Sequence, residues 1–259
     1  MSLVESTITG SVMTITLGDE ARRNALSDQL LVELVAAIDD AENNANVRVV
    51  VLTNRGSTFC AGANLAERST PSSGPSERVI ELGELFSRIQ RSPLPFVGRL
   101  AGHCVAGGVG LAAVLDVSIA LETATFGFSE VRIGVAPAII SVVCLAKMPL
   151  AEAKNAFLRG HRFSAADAVK MGLINASVAL DQLDDEVTAV LNDLLAGEPR
   201  AIAAAKQLTH TVPSMSEEEA YAWTTRLSAE LFHSDAAREG MTAFLEKRPP
   251  PWVTRVDTD

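Results

Sequence analysis

Apolar and polar residues alternate near the start of the chain. In SVMTITL (residues 11–17) every second residue is apolar, which predicts a half-buried strand. The segment VRVVVLT (residues 47–53) is a mostly β-branched run, typical of a strand buried on both faces. Between these segments the apolar residues follow a helical spacing, and Ser27 stands where a capping residue is expected. The pattern therefore predicts strand, amphipathic helix and strand in that order.

The same order continues through the middle of the chain. A helix is predicted from about Val79 to Arg91, ending before Pro93, and a buried strand in VSIAL (residues 117–121). Polar and helix-breaking residues cluster at residues 67–78, which predicts a mobile loop. Strands and helices thus alternate in the first part of the chain.

Helical signals dominate the last third of the chain. Ser164 and Asp167 have the spacing of a capping box, and Gly172 supplies a helix stop. Beyond Asp181 nearly every segment has helical spacing. The chain is therefore predicted to have an α/β fold with a helical C-terminal region.

Composition limits the partners of the protein. The chain has 259 residues, of which 47% are apolar and 21% charged, as in soluble proteins with a sizeable core. Its 22 Lys and Arg residues against 32 Asp and Glu residues give a formal net charge of −10. Because phosphate backbones need a basic surface, this charge argues against nucleic acid as a partner. Any anionic ligand must meet local positive charge.

Cysteine usage and the N-terminus indicate the compartment. The three cysteines are widely spaced and form no C-x-x-C pair, so neither a disulfide framework nor a zinc site is indicated. The N-terminus lacks the basic and apolar regions of a secretion signal. The longest apolar run is broken by glycine and too short for a bilayer. We therefore expect a cytoplasmic protein with no membrane partner and no bound metal.

A glycine cluster, GHCVAGGVGLAAVLD (residues 102–116), is the first candidate for chemistry. Gly108, Gly110 and Ala113 fit the G-x-G-x-x-A pattern of dinucleotide-binding folds. That pattern belongs on the first strand–turn–helix unit, with an acidic residue at a strand end about 20 residues later. Here the cluster comes after three predicted strands, the last of them the strand-like PFVGRLAG (residues 95–102), and Glu130 does not follow a strand pattern. The dinucleotide interpretation is therefore disfavoured.

Several further segments carry a family resemblance. They are RRNALS, VRVVVLTNRGSTFCAGANLAE, AGHCVAGGVGLAAVLDVSIA, FGFSEVRIGVAP, GHRFSAADAVKMGLIN and EGMTAFLEKRPPPW. In this order they resemble the enoyl-CoA hydratase/isomerase (crotonase) family over most of residues 10–252. The resemblance implies a spiral of ββα turns with the acyl-CoA site in residues 1–195. It also implies a helical oligomerisation region in residues 196–259 that forms a homotrimer or a hexamer.

The resemblance also implies a catalytic site. Family members bind acyl-CoA thioesters and stabilise an enolate with two backbone N–H groups, which correspond here to Ala63 and Gly107. The residues fit this chemistry, because a site built from amides needs small side chains that let a thioester approach closely. An amide of Gly107 at a helix N-terminus would also favour negative charge through the helix dipole. The glycines alone would equally permit close packing of a strand on a helix.

The acid/base pair of the family is incomplete in this chain. Family hydratases commonly use two glutamates; the second corresponds to Glu130, and the first would fall at Gly110. Glu130 lies among apolar residues, which favours a raised pKa. A hydratase, a Δ3-Δ2 enoyl-CoA isomerase that uses Glu130 alone, and a non-catalytic acyl-CoA-binding protein all remain open. We expect that Gly110→Glu would fold and point its carboxylate at the same cavity.

The segment SEVRIGVAPAIIS departs from the glycine-rich PGAGGTQ continuation common in the family. It resembles a bacterial subgroup that acts on branched or carboxylated, glutaconyl-type thioesters, which favours a hydratase. Arg132 would pair with Glu130 or bind such a carboxylate, and His103 would reach the acyl pocket. No cofactor is expected beyond the coenzyme A of the substrate.

The resemblance, together with the need for local positive charge, gives a set of substrate-binding candidates. Phe244 and Lys247 would reach the coenzyme A of a neighbouring subunit. The full set of substrate-binding candidates is Arg22, Arg23, Ala25, Ala61, Asn64, Leu65, Gly108, Arg132, Phe244 and Lys247.

Overall fold

A computed structural model of the chain describes residues 2–68 and 80–256. Most of the segment predicted as a mobile loop lies outside the described residues, and so does Val79, the first residue of the predicted helix. The first two residues of that predicted loop are helical instead, because they belong to the short helix Leu65–Arg68. The predicted helix itself is present from Leu82 to Arg91.

One sheet of six strands runs through the molecule, in the order β1-β2-β3-β5-β7-β10. Strand β1 is antiparallel to β2, and each of the other neighbours is parallel. Strands β2, β3, β5 and β7 confirm the four predicted strands, whereas β1 was not predicted. The six strands are β1 (Val4–Thr9), β2 (Val12–Leu17), β3 (Val49–Asn54), β5 (Phe96–Leu100), β7 (Val117–Leu121) and β10 (Ala176–Val178).

A second sheet consists of four strands of three residues each, in the order β4-β6-β8-β9. Strands β4, β6 and β8 are parallel, and β9 is antiparallel to β8. The strands are β4 (Thr58–Cys60), β6 (His103–Val105), β8 (Thr125–Gly127) and β9 (Arg162–Ser164). Three times, a strand of the large sheet is followed by a strand of the small sheet and then by a helix, which confirms the predicted ββα spiral.

Eleven α-helices are present in the described residues, and the two predicted caps are both confirmed. Ser27 accepts a hydrogen bond from Leu30 N, and Ser164 and Asp167 form the predicted capping box. Gly172 has the positive φ of 77° expected at a helix stop. The helices are α1 (Asp28–Asn43), α2 (Leu65–Arg68), α3 (Leu82–Arg91), α4 (Gly107–Val114), α5 (Ala138–Cys144), α6 (Leu150–Arg159), α7 (Ala165–Lys170), α8 (Leu183–Ala196), α9 (Pro199–Thr211), α10 (Glu217–Phe232) and α11 (Asp235–Leu245).

Helices α8 to α11 form the C-terminal part. Helix α8 packs on the large sheet through a stripe of buried residues, Leu183, Val187, Leu191 and Leu195. Helices α10 and α11 bury little within this chain, since Ala243 is their one fully buried residue. The predicted boundary between residues 195 and 196 falls at the end of α8, and the division into two domains stays a prediction. None of the described helices has the length and apolar character needed to cross a membrane.

The three cysteines are free thiols in the core. Cys60 and Cys104 pair in register on the neighbouring strands β4 and β6, and Cys144 ends α5. Burial raises the pKa of Cys60 and of Cys144 to about 12, and it also raises the pKa of Cys104. All three thiols are therefore packing residues in the folded protein.

Candidate active site

Two loops of the small sheet meet at the candidate site. Because β4 and β6 are parallel neighbours, the loop after β4 and the start of α4 emerge at the same edge of the sheet. Gly62 has a φ of +87°, and a Cβ on it would lie 2.9 Å from Gly107 N and from the Cβ of Ala106. Both the backbone conformation and the close approach therefore require glycine at position 62. This contact holds Ala63 beside Gly107, as the family resemblance implies.

The amide N–H groups of Ala63 and Gly107 are both available to a ligand. Ala63 forms an isolated bridge with Leu26, in which Leu26 N donates to Gly62 O at 2.7 Å and Asn64 N donates to Leu26 O at 3.4 Å. Neither bond uses the N–H of Ala63. Gly107 is the first residue of α4, where amides have no partner within the helix. Among the hydrogen bonds between described residues, none is donated by Ala63 N or Gly107 N.

The backbone before Gly107 is strained. Ala106 has φ 50° and ψ −120°, a conformation that costs a residue with a Cβ about 1–3 kcal/mol. Its N–H donates to Gly127 O on β8 at 2.8 Å, which anchors the turn to the small sheet. The strained turn aims the N-terminus of α4, and with it the positive end of the helix dipole, at the site.

A cavity of about 370 Å³ opens in front of these two amides. Its lining brings together many of the residues singled out from the sequence: Ala61, Ala63, Leu65, Gly107, Glu130 and Arg132. Hydrocarbon side chains of Leu82, Ile133, Val135, Ile139 and Ile140 form much of the remaining wall. The cavity therefore combines two hydrogen-bond donors with an apolar surface that suits an acyl chain.

Glu130 is the carboxylic acid among the described residues of this cavity lining. It begins a 3-10 helix, Glu130–Ile133, shortly after β8. Its Oε2 is buried and has no hydrogen-bond partner among the described residues. Burial raises the pKa of Glu130, although its own backbone N–H acts in the opposite direction. A carboxyl group with a raised pKa holds its proton more readily than an exposed one, which suits acid/base work.

Arg132 does not pair with Glu130, contrary to one expectation from the sequence. Its Nε donates to Gly160 O at 2.6 Å, and its Nη2 donates to Arg159 O at 3.3 Å. These carbonyls lie at the C-terminal end of α6, where cations are favourable partners. The guanidinium of Arg132 therefore holds the turn after α6, and the residue also lines the cavity.

The space expected for a first glutamate is filled. A Cβ on Gly110 would lie 2.5 Å from Ile140 Cγ2, 2.8 Å from Ile140 Cβ and 2.9 Å from Phe86 Cζ. Ile140 and Phe86 are each 3% exposed, so neither can move aside into solvent. This packing opposes the expectation that Gly110→Glu would fold and present its carboxylate, since a side chain there must displace Ile140 or Phe86, and the expectation stays a prediction.

A second cavity, of about 440 Å³, adjoins the first and shares Ala61 with it. Arg23, His103 and Arg162 contribute three basic side chains to its wall. The expectation that His103 reaches the acyl pocket is wrong, because His103 lies on this other cavity, where its Nδ1 accepts from Thr125 N at 3.0 Å. Arg162 was not singled out from the sequence, because no pattern connects it with Arg23.

The turn that carries Arg23 is held by a residue that the sequence analysis missed. Arg23 and Asn24 have φ values of 56° and 52°, in the left-handed region. Asn24 is fully buried, and its Nδ2 donates to Thr58 O at 2.8 Å and to Arg55 O at 3.2 Å. Asn24 therefore fixes the turn against β4. The sequence signal was weak, since asparagine is merely one of the residues that tolerate this conformation.

The remaining candidates lie outside both cavities. Arg22 pairs with Asp19 at 3.4 Å, and Asn64 Nδ2 donates to Glu67 Oε1 at 2.8 Å. Gly108 was expected to contact substrate, but it packs against β4, since a Cβ on it would lie 2.1 Å from Cys60 O. Ala25 is buried, Phe244 is 82% exposed and Lys247 is exposed as well. The role of Phe244 and Lys247 toward a neighbouring subunit stays a prediction.

Comparison with known proteins identifies the family of this chain. The family model described as enoyl-CoA hydratase/isomerase matches residues 7–255. Enoyl-CoA hydratase EchA19 of Mycobacterium tuberculosis is 32% identical over 251 residues, which cover 95% of this chain and 94% of that protein. Carnitinyl-CoA dehydratase of Salmonella arizonae is 31% identical over 254 residues, which cover 94% of this chain and 95% of that protein.

Two solved structures of similar proteins have the same fold. The crystal structure of an enoyl-CoA hydratase from Mycobacterium smegmatis matches with a TM-score of 0.88 and 32% identity, covering 98% of this chain and 100% of that chain. An enoyl-CoA hydratase/isomerase from Marinobacter aquaeolei matches with a TM-score of 0.90 and 28% identity, covering 98% and 100%. The chain has the crotonase-like fold and belongs to the enoyl-CoA hydratase/isomerase family.

Proposed function

We propose that the protein adds water to a 2-enoyl-CoA thioester, with Ala63 and Gly107 as oxyanion donors and Glu130 as the acid/base. One observation carries the proposal: two amides without acceptors line the same cavity as a half-buried carboxyl group, whose Oε2 has no partner among the described residues. The two N–H groups receive the thioester oxygen as negative charge moves onto it. Each such donor contributes roughly 3 to 4 kcal/mol to stabilising the transition state.

A single carboxyl group can complete the hydration, because it has two oxygens. Glu130 begins protonated and gives its proton to the α-carbon, while its other oxygen accepts a proton from water. The water oxygen bonds to the β-carbon, and the electrons of the double bond pass through the enolate to the new C–H bond. Glu130 ends as it began, protonated. Its raised pKa supports this role, because it favours the protonated form that gives the proton to the α-carbon.

Isomerisation of a 3-enoyl-CoA to a 2-enoyl-CoA is the second candidate. The observation that favours it is that Glu130 is the one carboxyl group among the described lining residues, with hydrocarbon of Ile140 where a second would stand. In this reaction ionised Glu130 removes a proton from the α-carbon and returns it to the γ-carbon. Two-base hydration is not compatible with this packing.

The coenzyme A part of the substrate would extend into the second cavity. Arg23 and Arg162 provide positive charge there for the phosphates, on a protein that is acidic overall. The proposal includes a homotrimer or hexamer in the cytoplasm, in which Phe244 and Lys247 approach a neighbour's coenzyme A. Branched and glutaconyl-type acyl groups, which the resemblance implies, are tested beside straight-chain ones.

The deciding experiment is incubation with 2-enoyl-CoA, 3-enoyl-CoA and glutaconyl-CoA thioesters in ¹⁸O-labelled water and, separately, in deuterated water. Hydration predicts products that have gained one labelled oxygen. Isomerisation predicts conversion of the 3-enoyl-CoA to a 2-enoyl-CoA without any labelled oxygen. Binding of saturated acyl-CoA without turnover of any thioester would identify a non-catalytic acyl-CoA-binding protein and reject both reactions.

A further inference from the structure

The side chain of Ile140 occupies the space that a side chain at position 110 would need. Gly110 lies in α4 one turn after Gly107, and its φ is not positive, so its backbone does not demand glycine. What excludes a side chain is contact, because the methyl group Cγ2 of Ile140 is 2.5 Å from the position of a Cβ. Real side chains do not approach so closely. Isoleucine at position 140 therefore requires glycine at position 110.

The same isoleucine closes the inner end of the acyl cavity. The residues of its outer wall are open to solvent: Leu65, Ile133, Val135 and Ile139 are 57%, 56%, 54% and 45% exposed. Ile140 lines the same cavity but is 3% exposed. Behind it stand α4 and the buried ring of Phe86 on α3. An acyl chain that entered past Ile139 would therefore end against Ile140.

Two departures from the family pattern thus meet in space. One is the glycine in place of a glutamate at position 110. The other is PAIIS (residues 137–141) in place of a glycine-rich segment, which puts Ile140 where the pattern has glycine. In the family pattern a glutamate at position 110 would face a glycine at position 140. In this chain a glycine at position 110 faces the hydrocarbon side chain of Ile140. The change removes a polar group from the inner end of the cavity and leaves a branched apolar stop.

We propose that Ile140 is the specificity-determining residue of this enzyme, and that it restricts the substrate to short, uncharged acyl groups. This inference rests on the proposed function, since it concerns the acyl chain of the same site. The described lining offers a charged acyl group one cation, Arg132, whose guanidinium already serves the carbonyls of Gly160 and Arg159. The acyl chain therefore meets hydrocarbon along the wall and at its end.

The test is a chain-length series on Ile140→Ala, which removes three carbons from the inner wall. We expect the ratio of kcat/KM for trans-2-octenoyl-CoA to that for crotonyl-CoA to rise at least about tenfold, since even one methylene in an apolar pocket changes such ratios by about 10- to 200-fold. Val143→Ala is the matched control. Val143 lies on the same helix and is 3% exposed, but it does not line the cavity, so the ratio should stay that of the unmodified protein.

Binding measurements separate this inference from the proposed reaction. Calorimetric dissociation constants for octanoyl-CoA and butanoyl-CoA, which cannot be hydrated, should shift in the same direction in Ile140→Ala. A shift in binding without turnover of any enoyl-CoA would retain Ile140 as the determinant and reject hydration. Unchanged ratios in folded Ile140→Ala would overturn the inference. If that variant does not fold, Ile140→Val replaces it, and a folded Ile140→Val with unchanged ratios is equally decisive.

Discussion

Lys206 Nζ lies 2.8 Å from Asp116 Oδ2, and this ion pair joins α9 to the segment between α4 and β7. Lys206 also donates to Leu94 O at 2.8 Å, and Asp116 Oδ2 accepts from Phe96 N at 2.7 Å. Burial lowers the pKa of Lys206, whereas Asp116 acts in the opposite direction. The network connects the C-terminal helices with the strand that leads into the small sheet and the site.

Lys206→Met should destabilise the fold by about 2 to 3 kcal/mol. Removing one partner of a buried pair costs about 3 to 5 kcal/mol, and the cost is lower here because Asp116 is 28% exposed. Urea unfolding at fixed protein concentration measures the change. Lys154→Met on the exposed face of α6 is the control and should stay within about 0.5 kcal/mol of the unmodified protein. Equal losses in both variants would contradict a specific role of the pair.

Glu130→Gln should lower turnover at least about a hundredfold while acyl-CoA binding is retained, because a positioned acid/base contributes about 10²- to 10⁴-fold. Steady-state kinetics and calorimetric binding of a saturated acyl-CoA measure the two effects. Turnover close to that of the unmodified protein would show that Glu130 is not the acid/base.

The same variant should be more stable than the unmodified protein at neutral pH. Because burial raises the pKa of Glu130, the folded protein keeps this proton at pH values where the unfolded chain has lost it. Stability of the unmodified protein therefore decreases as pH rises from the unfolded pKa through the folded pKa. Glutamine has no such dependence, so the advantage of Glu130→Gln should grow across that window. A constant difference from pH 4 to pH 8 would contradict the assignment.

The pH profile should distinguish hydration from isomerisation. Hydration by one carboxyl group needs protonated Glu130, so kcat/KM should fall as pH rises through its raised pKa. Isomerisation needs the carboxylate, so kcat/KM should fall as pH decreases through the same pKa. Profiles of kcat/KM for a 2-enoyl-CoA and a 3-enoyl-CoA over the same pH range measure this. If kcat/KM for both substrates changed in the same direction with pH, Glu130 would not be the group that governs both reactions.

Two glycines at equivalent helix positions should respond differently to alanine. Gly108 and Gly83 are the second residues of α4 and α3. A Cβ on Gly108 would lie 2.1 Å from Cys60 O, so Gly108→Ala should push β4 away and cost at least about 1 to 3 kcal/mol. A Cβ on Gly83 would meet Ile139 Cγ2 at 3.8 Å, so Gly83→Ala should be neutral or stabilise by up to about 1 kcal/mol. Thermal unfolding of both variants decides.

Local patterns in the sequence were sufficient for the long elements. Residues 11–17 and 47–53 were predicted as strands, and β2 and β3 confirm them, because six residues are enough to show an alternation or a β-branched run. The capping box of α7 was predicted for the same reason, since it needs two residues three positions apart. The strands of the small sheet have three residues each and cannot show any period.

The candidate site was predicted where a short motif identifies the residue and missed where a contact with a distant segment decides. Ala63, Gly107 and Glu130 were expected in one cavity and line one cavity. The partners of Arg132 and the fit of Ile140 to Gly110 depend on helices brought together by the spiral. Nothing within about 20 residues of Gly110 reveals that its side-chain space is already taken.

The buried thiols allow transient opening of the site to be measured by alkylation. Cys60 and Cys104 stand directly before the two loops that carry the oxyanion amides, and both are 0% exposed with raised pKa values. A thiol reagent can therefore alkylate them only in molecules whose strands have transiently separated. The alkylation rate should report how often β4 and β6 part, and a saturated acyl-CoA that bridges the two loops should slow it. Alkylation of the native protein as fast as that of the urea-unfolded chain would show that the site is not held closed by these strands.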